Sequence, residues 1–106
     1  MSKPGYVYLI CDPIKDYFKI GVTTGSIEKR MKKLQTGNGA EMFVLKYHKT
    51  EHPFKVEKLL HNHFSTKRVL NEWFALDIND VANFDQTCDK MEGIIDCLKD
   101  NYWFKI

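Results

Sequence analysis

Two ionisable side chains fall inside the apolar stripes of predicted helices, where charged groups are rarely placed. Arg30 lies three residues after Ile27 and four before Leu34. Glu57 lies three residues before Leu60 on the seam of the next predicted helix. A guanidinium or carboxylate removed from water needs an ion pair, a bound ligand, a metal or several hydrogen bonds. We therefore expect either a structural ion-pair network or a site for an anion and a hard divalent cation such as Mg²⁺.

Glu57 can be interpreted as part of a structural ion pair as well as a metal ligand. In the structural alternative, Glu57 pairs with Arg30 or Lys19 inside the protein. The nearby histidines, His61 and His63, are two residues apart and have no matching cysteine pair, so they give little support for a zinc site. We predict that His61 lies near the polar seam of the helix and that His63 serves in packing.

Tyr8 and Lys19 belong to a predicted β-hairpin near the start of the chain. The segment 6–22 is rich in aromatic and β-branched residues on either side of a turn at 11–16. Side chains alternate between the two faces of a strand, so burial of the aliphatic set leaves a polar, aromatic face opposite it. An ordinary half-exposed sheet face would have the same composition. The side chains expected on this face are Tyr6, Tyr8, Tyr17 and Lys19.

The remaining elements follow from periodicity and capping. Ser26 is suited to cap a helix with Glu28 in its first turn, and Gly37 is suited to follow its end. Pro53 suits the first turn of a second helix. The predicted elements are a helix over 26–35, a strand over 42–48, a helix from 53 to 64 or 65, and a short closing strand or turn over 72–76. We predict an α+β fold (an α/β sandwich) with a small three-stranded antiparallel sheet flanked by helices.

An extra amphipathic helix is predicted at the C-terminus, beginning near Asn79. Its apolar residues recur at three- and four-residue steps over three heptads, and they are Val81, Phe84, Cys88, Met91, Ile95, Leu98 and Tyr102. Its expected outward carboxylates are Asp85, Asp89, Glu92, Asp96 and Asp100. We expect this helix, residues 79–106, to pack on the domain formed by residues 1–78 and to lie away from the substrate. The alternatives are a homodimer seam, with the chain otherwise a monomer, or an inhibitory lid whose removal after Leu76 raises activity.

Composition and charge restrict the class of protein. At 106 residues, the chain is long enough for one small domain with its own core. The chain shows no signal peptide and no apolar run near 20 residues, so we expect an intracellular protein, in cytoplasm or nucleus and conceivably virus-encoded, without a membrane partner. Three widely spaced cysteines argue against a disulfide framework. Through residue 68 there are 13 Lys and Arg against 6 Asp and Glu, which favours a polyanion-binding face there.

Five short motifs follow one another between residue 5 and about residue 78. Tyr-Val-Tyr stands at 6–8 and Lys-Ile-Gly at 19–21. The later motifs are Leu34-Gln35-Thr36-Gly37-Asn38, then Glu57, Leu60, His61 and Phe64, then Glu72-Trp73-Phe74. In this order the motifs resemble the GIY-YIG nuclease superfamily, and specifically its branch with lysine in place of the second motif's tyrosine. A mechanism that needs two tyrosines would then require Tyr6 or Tyr17 to stand in.

The resemblance implies a metal-dependent endonuclease that hydrolyses phosphodiester bonds of DNA by in-line attack of water. In this interpretation Tyr8 is the base, Arg30 holds the scissile phosphate, and Glu57 binds one Mg²⁺ or Mn²⁺. Lys19 lowers the pKa of a neighbouring phenol or binds phosphate, because a phenol is otherwise a poor base at neutral pH. The supporting residues are Tyr6, Tyr17 and His61, and the expected nucleic-acid contacts are Lys29, Lys32, Lys33 and Asn38. The rivals are a non-catalytic nucleic-acid-binding module and a structural protein.

Overall fold

The computed structural model of the chain describes residues 3–38 and 42–99, with backbone alone for 34–38 and 99. The strands are β1 (Gly5–Asp12), β2 (Tyr17–Thr23), β3 (Phe43–Thr50), β4 (Arg68–Leu70) and β5 (Trp73–Phe74). The helices are α1 (Ile27–Asn38), α2 (Pro53–His63), α3 (Ile78–Ala82) and α4 (Phe84–Lys99), and a 3₁₀ turn at Ser65–Lys67 leads from α2 to β4. The predicted α+β class is confirmed.

The sheet has five strands in the order β3-β1-β2-β5-β4, and every neighbouring pair is antiparallel. The prediction of three strands was therefore wrong. β5 falls within segment 72–76, which was predicted as a short closing strand or turn, whereas β4 was not predicted. With two and three residues, both strands are too short for alternation to be visible in the sequence. Asn71, with φ of 52°, makes the tight turn between them, a left-handed conformation that asparagine tolerates better than most residues.

The predicted hairpin is present as β1 and β2. The Oδ1 of Asp12 accepts hydrogen bonds from the backbone N–H groups of Ile14 (3.0 Å) and Lys15 (3.3 Å), which orders the turn. Further along the strands, Tyr8 lies directly opposite Gly21. The turn therefore fixes the register on which the geometry around Tyr8 depends.

The two faces of the sheet carry separate cores. Val7, Leu9 and Ile20 are fully buried on one face, in a cluster with side chains of α2 and α4. Tyr8 and Ile10 are buried on the other, where α1 packs over them. The half-exposed sheet face considered from sequence is thus wrong at Tyr8, whose side chain is only 1% exposed, because α1 crosses this face.

Helices α1 and α2 begin where capping predicted. The Oγ of Ser26 accepts from the backbone N–H of Lys29 at 3.3 Å, and Pro53 is the first residue of α2. Helix α1 continues to Asn38, beyond its predicted end, because glycine weakens a helix without forbidding it. In α2, Phe54 was predicted on the apolar stripe but is 63% exposed, since it lies about 200° around the helix from buried Val56.

The single C-terminal helix predicted from residue 79 is instead two helices, α3 and α4, with Asn83 between them. The cap is Asp77, whose side chain and that of Asp80 form a reciprocal capping box. The predicted apolar stripe is confirmed for Phe84, Cys88, Met91 and Ile95, which are buried in the core shared with α2. Leu98 is 41% exposed, and Asp100 and Tyr102 lie outside the described residues.

Helix α4 is tied to β3 by two polar pairs on the face of the sheet opposite α1. Lys46 Nζ lies 3.4 Å from Asp85 Oδ2, and His48 Nε2 lies 3.2 Å from Glu92 Oε1, although this second contact does not have hydrogen-bond geometry. Glu92 is therefore half-buried rather than fully outward as predicted, whereas Asp85, Asp89 and Asp96 are exposed. In this position the described part of α4 does not cover Arg30. Its buried apolar stripe packs against the core of the same chain.

Candidate functional site

Tyr8 and Arg30 are joined beneath α1. The Nε–H of Arg30 donates a hydrogen bond of 3.1 Å to the Oη of Tyr8. This bond and the partial negative charge of the phenol raise the pKa of Arg30, so the guanidinium stays charged. Within the described residues no carboxylate lies within salt-bridge distance of Arg30. Among these residues its positive charge is therefore not neutralised by a close ion pair, which favours the anion-binding alternative.

Gly21 makes room for the Tyr8 ring. A Cβ atom built on Gly21 would overlap the Oη, Cζ and Cε1 atoms of Tyr8. Because the two residues are directly opposite in the β1–β2 register, the phenol lies across the backbone of β2 and any larger residue would displace it. The glycine of the Lys-Ile-Gly motif thus has a steric reason to be there.

The sequence-based expectation for the ionisation of Tyr8 is wrong. Burial raises the pKa of Tyr8 above its ordinary value, the hydrogen bond and charge of Arg30 lower it by less, and the nearby charges of Glu72 and Glu57 raise it further. Lys19 is not among the largest influences on the pKa of Tyr8. Tyr8 is therefore a neutral phenol at neutral pH, with its oxygen accepting from Arg30 and its O–H available as a donor.

Lys19 is engaged with a carboxylate that the sequence did not single out as a site residue. Its Nζ lies 3.4 Å from the Oε2 of Glu72 and 5.9 Å from the centre of the Trp73 ring. Lys19 and Trp73 are opposite each other in the β2–β5 register, so β5 delivers Glu72 to the site. Glu72 also acts electrostatically on Tyr8, Arg30 and Glu57, which makes it a second acidic group in this region.

Glu57 has a buried oxygen that has no hydrogen-bond partner among the residues that the structure describes. Its Oε2 is inaccessible to solvent and makes no hydrogen bond, and neither Arg30 nor Lys19 lies within salt-bridge distance among the described residues. Burial raises the pKa of Glu57, the charge of Glu72 raises it further, and His61, Lys19 and Arg30 lower it. Buried unpaired groups of this kind call for an ion or water. A hard oxygen donor in this state fits a divalent cation.

His61 is held by hydrogen bonds at both ring nitrogens. Its Nε2 lies 3.0 Å from the carbonyl oxygen of Ile20, and its Nδ1 lies 3.3 Å from Nη2 of Arg68. These partners assign a neutral tautomer in which Nε2–H donates and Nδ1 accepts. His61 thus lies on the polar seam, next to Glu57, with no nitrogen left for a metal. His63, predicted to pack, is exposed at its end of α2, with its ring 4.7 Å from Phe64.

The other tyrosines lie at two different distances from Tyr8. Tyr6 is two residues away on the same face of β1, and its ring is 5.8 Å from that of Tyr47 on β3. Tyr17 is opposite Asp12 at the turn, about 13 Å along β2 from Gly21, and lines a cleft of about 180 Å³ at that end of the sheet. Of the two tyrosines that could stand in for a second phenol, the structure therefore places Tyr6, but not Tyr17, near Tyr8.

The predicted nucleic-acid contacts lie on α1. Lys29, Lys32 and Lys33 are exposed on the same helix that carries Arg30. The side chain of Asn38 lies outside the described residues. A cationic helix surface beside a guanidinium suits the positioning of a phosphate backbone.

Comparison with known proteins shows the family of the chain. Residues 5–92, which are 88 of the 106, match the model of the T5orf172 domain. This domain is found in phage proteins and in homing and GIY-YIG-like endonucleases, although a GIY-YIG model itself does not match. No curated protein and no solved structure matches the chain. No helix in residues 3–38 or 42–99 could span a membrane. The chain belongs to the T5orf172 domain family.

Proposed function

We propose that this chain is a metal-dependent endonuclease of the GIY-YIG type, which hydrolyses phosphodiester bonds in DNA. The observation that carries the proposal is the buried Oε2 of Glu57, which is unpaired within the described part of the chain and lies within electrostatic reach of the cations Lys19 and Arg30. A protein that only bound DNA would have little need for an uncompensated carboxylate among the cations that attract phosphate. The nuclease-like associations of the T5orf172 domain support the same proposal.

In the proposed site, Glu57 would hold one Mg²⁺ or Mn²⁺, and Glu72, which acts electrostatically on Glu57, is a further carboxylate that could contribute. The bound cation supplies positive charge that stabilises the oxygen leaving from phosphorus. Arg30 binds non-bridging oxygens of the scissile phosphate through the guanidinium nitrogens not used by Tyr8. It thereby stabilises the charge that grows on those oxygens as the reaction proceeds.

Tyr8 is proposed to accept the proton of the attacking water. The water oxygen bonds to phosphorus in line with the leaving 3′-oxygen, its proton passes to the phenolate oxygen of Tyr8, and the 3′-oxygen departs and is protonated from solvent. Because the pKa of Tyr8 is raised, the phenolate is a minor species at pH 7. The hydrogen bond from Arg30 stabilises that species when it forms.

The second candidate is a nucleic-acid-binding module of the same fold without turnover. The raised pKa of Tyr8 favours it, since a neutral phenol is a poor base. The pairing of Lys19 with Glu72 favours it as well, because a paired ammonium is less available to a phosphate. This candidate predicts salt-sensitive DNA binding with no dependence on a divalent cation.

Nicking of a supercoiled plasmid with Mg²⁺ separates the two candidates. The nuclease should convert the plasmid to open circles, whereas Glu57→Gln and Arg30→Ala should lose at least about 100-fold in rate, which is the loss typical of removing one charge-stabilising group. Glu51→Gln makes the same change at an exposed glutamate and should keep the wild-type rate. Nicking that survives in both site variants would overturn the assignment, and binding without any nicking would favour the second candidate.

A further inference from the structure

A cleft that the proposed chemistry does not use opens beside Tyr8. We call it the tyrosine cleft, and it is lined by Tyr6, Ser26, Ile27, Glu28 and Tyr47. Its volume is about 310 Å³, at the lower end of the range for small-ligand pockets. Tyr47 is opposite Tyr8 in the β1–β3 register, so the cleft and the phenol share one face of the sheet.

The walls of the cleft are aromatic and accessible. Tyr47 is 59% exposed, although it lies in the middle of a strand whose other face is half-buried. The rings of Tyr6 and Tyr47 lie with their centres 5.8 Å apart at an interplanar angle of 72°, so Tyr6 supports the exposed Tyr47 ring from one side. An exposed ring face held in position is the feature that proteins use to stack a nucleobase.

The polar side of the cleft argues against a phosphate as its occupant. Ser26 Oγ donates a hydrogen bond of 2.6 Å to Oε2 of Glu28, and this bond lowers the pKa of Glu28, so the carboxylate is ionised at neutral pH. A carboxylate repels phosphate but accepts hydrogen bonds from the amino and imino groups of a base. The cations that suit phosphates lie around the cleft, as Arg30 and Lys29 on α1 and exposed Lys49 two residues beyond Tyr47 on β3.

We propose that the tyrosine cleft receives one unpaired nucleobase of the DNA strand being cut, stacked on Tyr47, next to the phosphate held by Arg30. A base inside a regular duplex is stacked on both faces and cannot reach Tyr47 without being extruded, at a cost of a few kcal/mol. The substrate class is therefore DNA with an unpaired nucleotide near the cut, as in a flap, a bulge or a single strand. This inference rests on the proposed function and names its substrate.

Binding without turnover tests the cleft separately from the nuclease activity. A duplex carrying a single bulged 2-aminopurine and the same duplex fully paired are titrated with protein in EDTA. Wild type should bind the bulged duplex more tightly and quench the 2-aminopurine fluorescence. Tyr47→Ala should weaken binding to the bulged duplex by about 5- to 150-fold, the range of one lost base stack, and binding to the paired duplex by less than about twofold.

Two variants control for loss of structure and for the hydroxyl group. Tyr47→Phe keeps the ring and should bind the bulged duplex within about twofold of wild type. Phe54→Ala removes another exposed aromatic ring, on α2, and should change neither affinity. Three results would overturn the proposal that the tyrosine cleft binds an unpaired base. They are equal weakening of both duplexes by Tyr47→Ala, binding by Tyr47→Phe as weak as that by Tyr47→Ala, and no preference of wild type for the bulged duplex. Metal-dependent nicking could persist in each of those cases, and bulge-selective binding could persist in a protein that never cuts.

Discussion

The Oη of Tyr8 accepts a 3.1 Å hydrogen bond from the Nε–H of Arg30, so the phenol and the guanidinium act as one unit. The bond works against burial, which holds the phenol neutral. It uses only one of the five N–H donors that a guanidinium carries. The proposed chemistry therefore depends on a base that is mostly protonated until the pH rises.

The nicking rate should increase with pH if Tyr8 is the base. The active form is the phenolate, and because the pKa of Tyr8 is raised above its ordinary value, the phenolate fraction grows about tenfold for each pH unit between 7 and 9. Single-turnover plasmid nicking across that range should follow this slope. Tyr8→Phe should lose at least about 100-fold at pH 9. A flat profile for wild type would assign Tyr8 to positioning and not to proton transfer.

Glu57→Gln should stabilise the fold while it abolishes nicking. The pKa of Glu57 in the folded state is raised above 4.5. Ionisation of Glu57 therefore destabilises the folded state, and this loss of stability develops as the pH rises from about 4.5 through the raised pKa. The melting temperature of Glu57→Gln should accordingly exceed that of wild type by a few degrees at pH 7 and match it near pH 4. Scanning fluorimetry in EDTA measures this difference, and a variant less stable than wild type at pH 7 would contradict it.

Divalent cations should raise the melting temperature of wild type and not of Glu57→Gln. A ligand that binds the folded state alone stabilises it by mass action, by about 2.7 kcal/mol at 100 times its dissociation constant. Glu51→Gln, which alters an exposed carboxylate, should respond to Mg²⁺ and Mn²⁺ as wild type does. An equal response in all three proteins would place the cation elsewhere.

Glu72→Gln should move the pH profile of nicking to lower pH. Glu72 raises the pKa of Tyr8 and pairs with Lys19 at 3.4 Å, so its neutralisation stabilises the phenolate and releases an ammonium toward the phosphate. The rate should rise by a similar factor at pH 7 and at pH 9, because the phenolate fraction at every pH below the pKa grows as the pKa falls. If Glu72 is instead required to hold the cation together with Glu57, the rate falls at every pH and the profile keeps its shape.

The residues that sequence could find were those that break a local pattern. Arg30 and Glu57 stand out because a helical period of 3.6 places charge among apolar neighbours, which is visible within a few residues. The predicted hairpin and the apolar stripe of α4 were recovered for the same reason. Local periodicity reports which side of an element faces the core, and these features depend on little else.

The features that sequence missed depend on contacts between distant segments. Glu72 reaches Lys19 only through β5, a strand of two residues, and Tyr47 joins Tyr6 only through the β1–β3 register. The protonation of Tyr8 was predicted in the wrong direction because its burial is provided by α1, packed across the sheet. Burial outweighs a neighbouring positive charge here, and sequence spacing reports charges more readily than it reports burial.

Helix α4 is part of the core, so removing it should inactivate the protein and not activate it. Full burial of a side chain such as Phe84 or Ile95 contributes about 1.5–3 kcal/mol, and the total stability of a domain is about 5–15 kcal/mol. Truncation after Leu76 should therefore give an unfolded chain by circular dichroism. As a milder pair, Ile95→Ala should cost about 2–5 kcal/mol, whereas Leu98→Ala, at a position 41% exposed, should cost much less. Higher nicking by Ile95→Ala would support the lid instead.

Two glycine-to-alanine changes should have opposite effects on stability. A Cβ on Gly21 would overlap the Tyr8 ring, so Gly21→Ala should destabilise by about 1–3 kcal/mol, the usual cost of overpacking a core. It should also abolish nicking, because the displaced phenol loses its bond to Arg30. A Cβ on Gly93, exposed within α4, would have no atom within 4 Å, so Gly93→Ala should stabilise the helix by about 0.5–1 kcal/mol. Urea denaturation measures both. A neutral Gly21→Ala with full activity would mean that Tyr8 does not need to lie across β2 for catalysis.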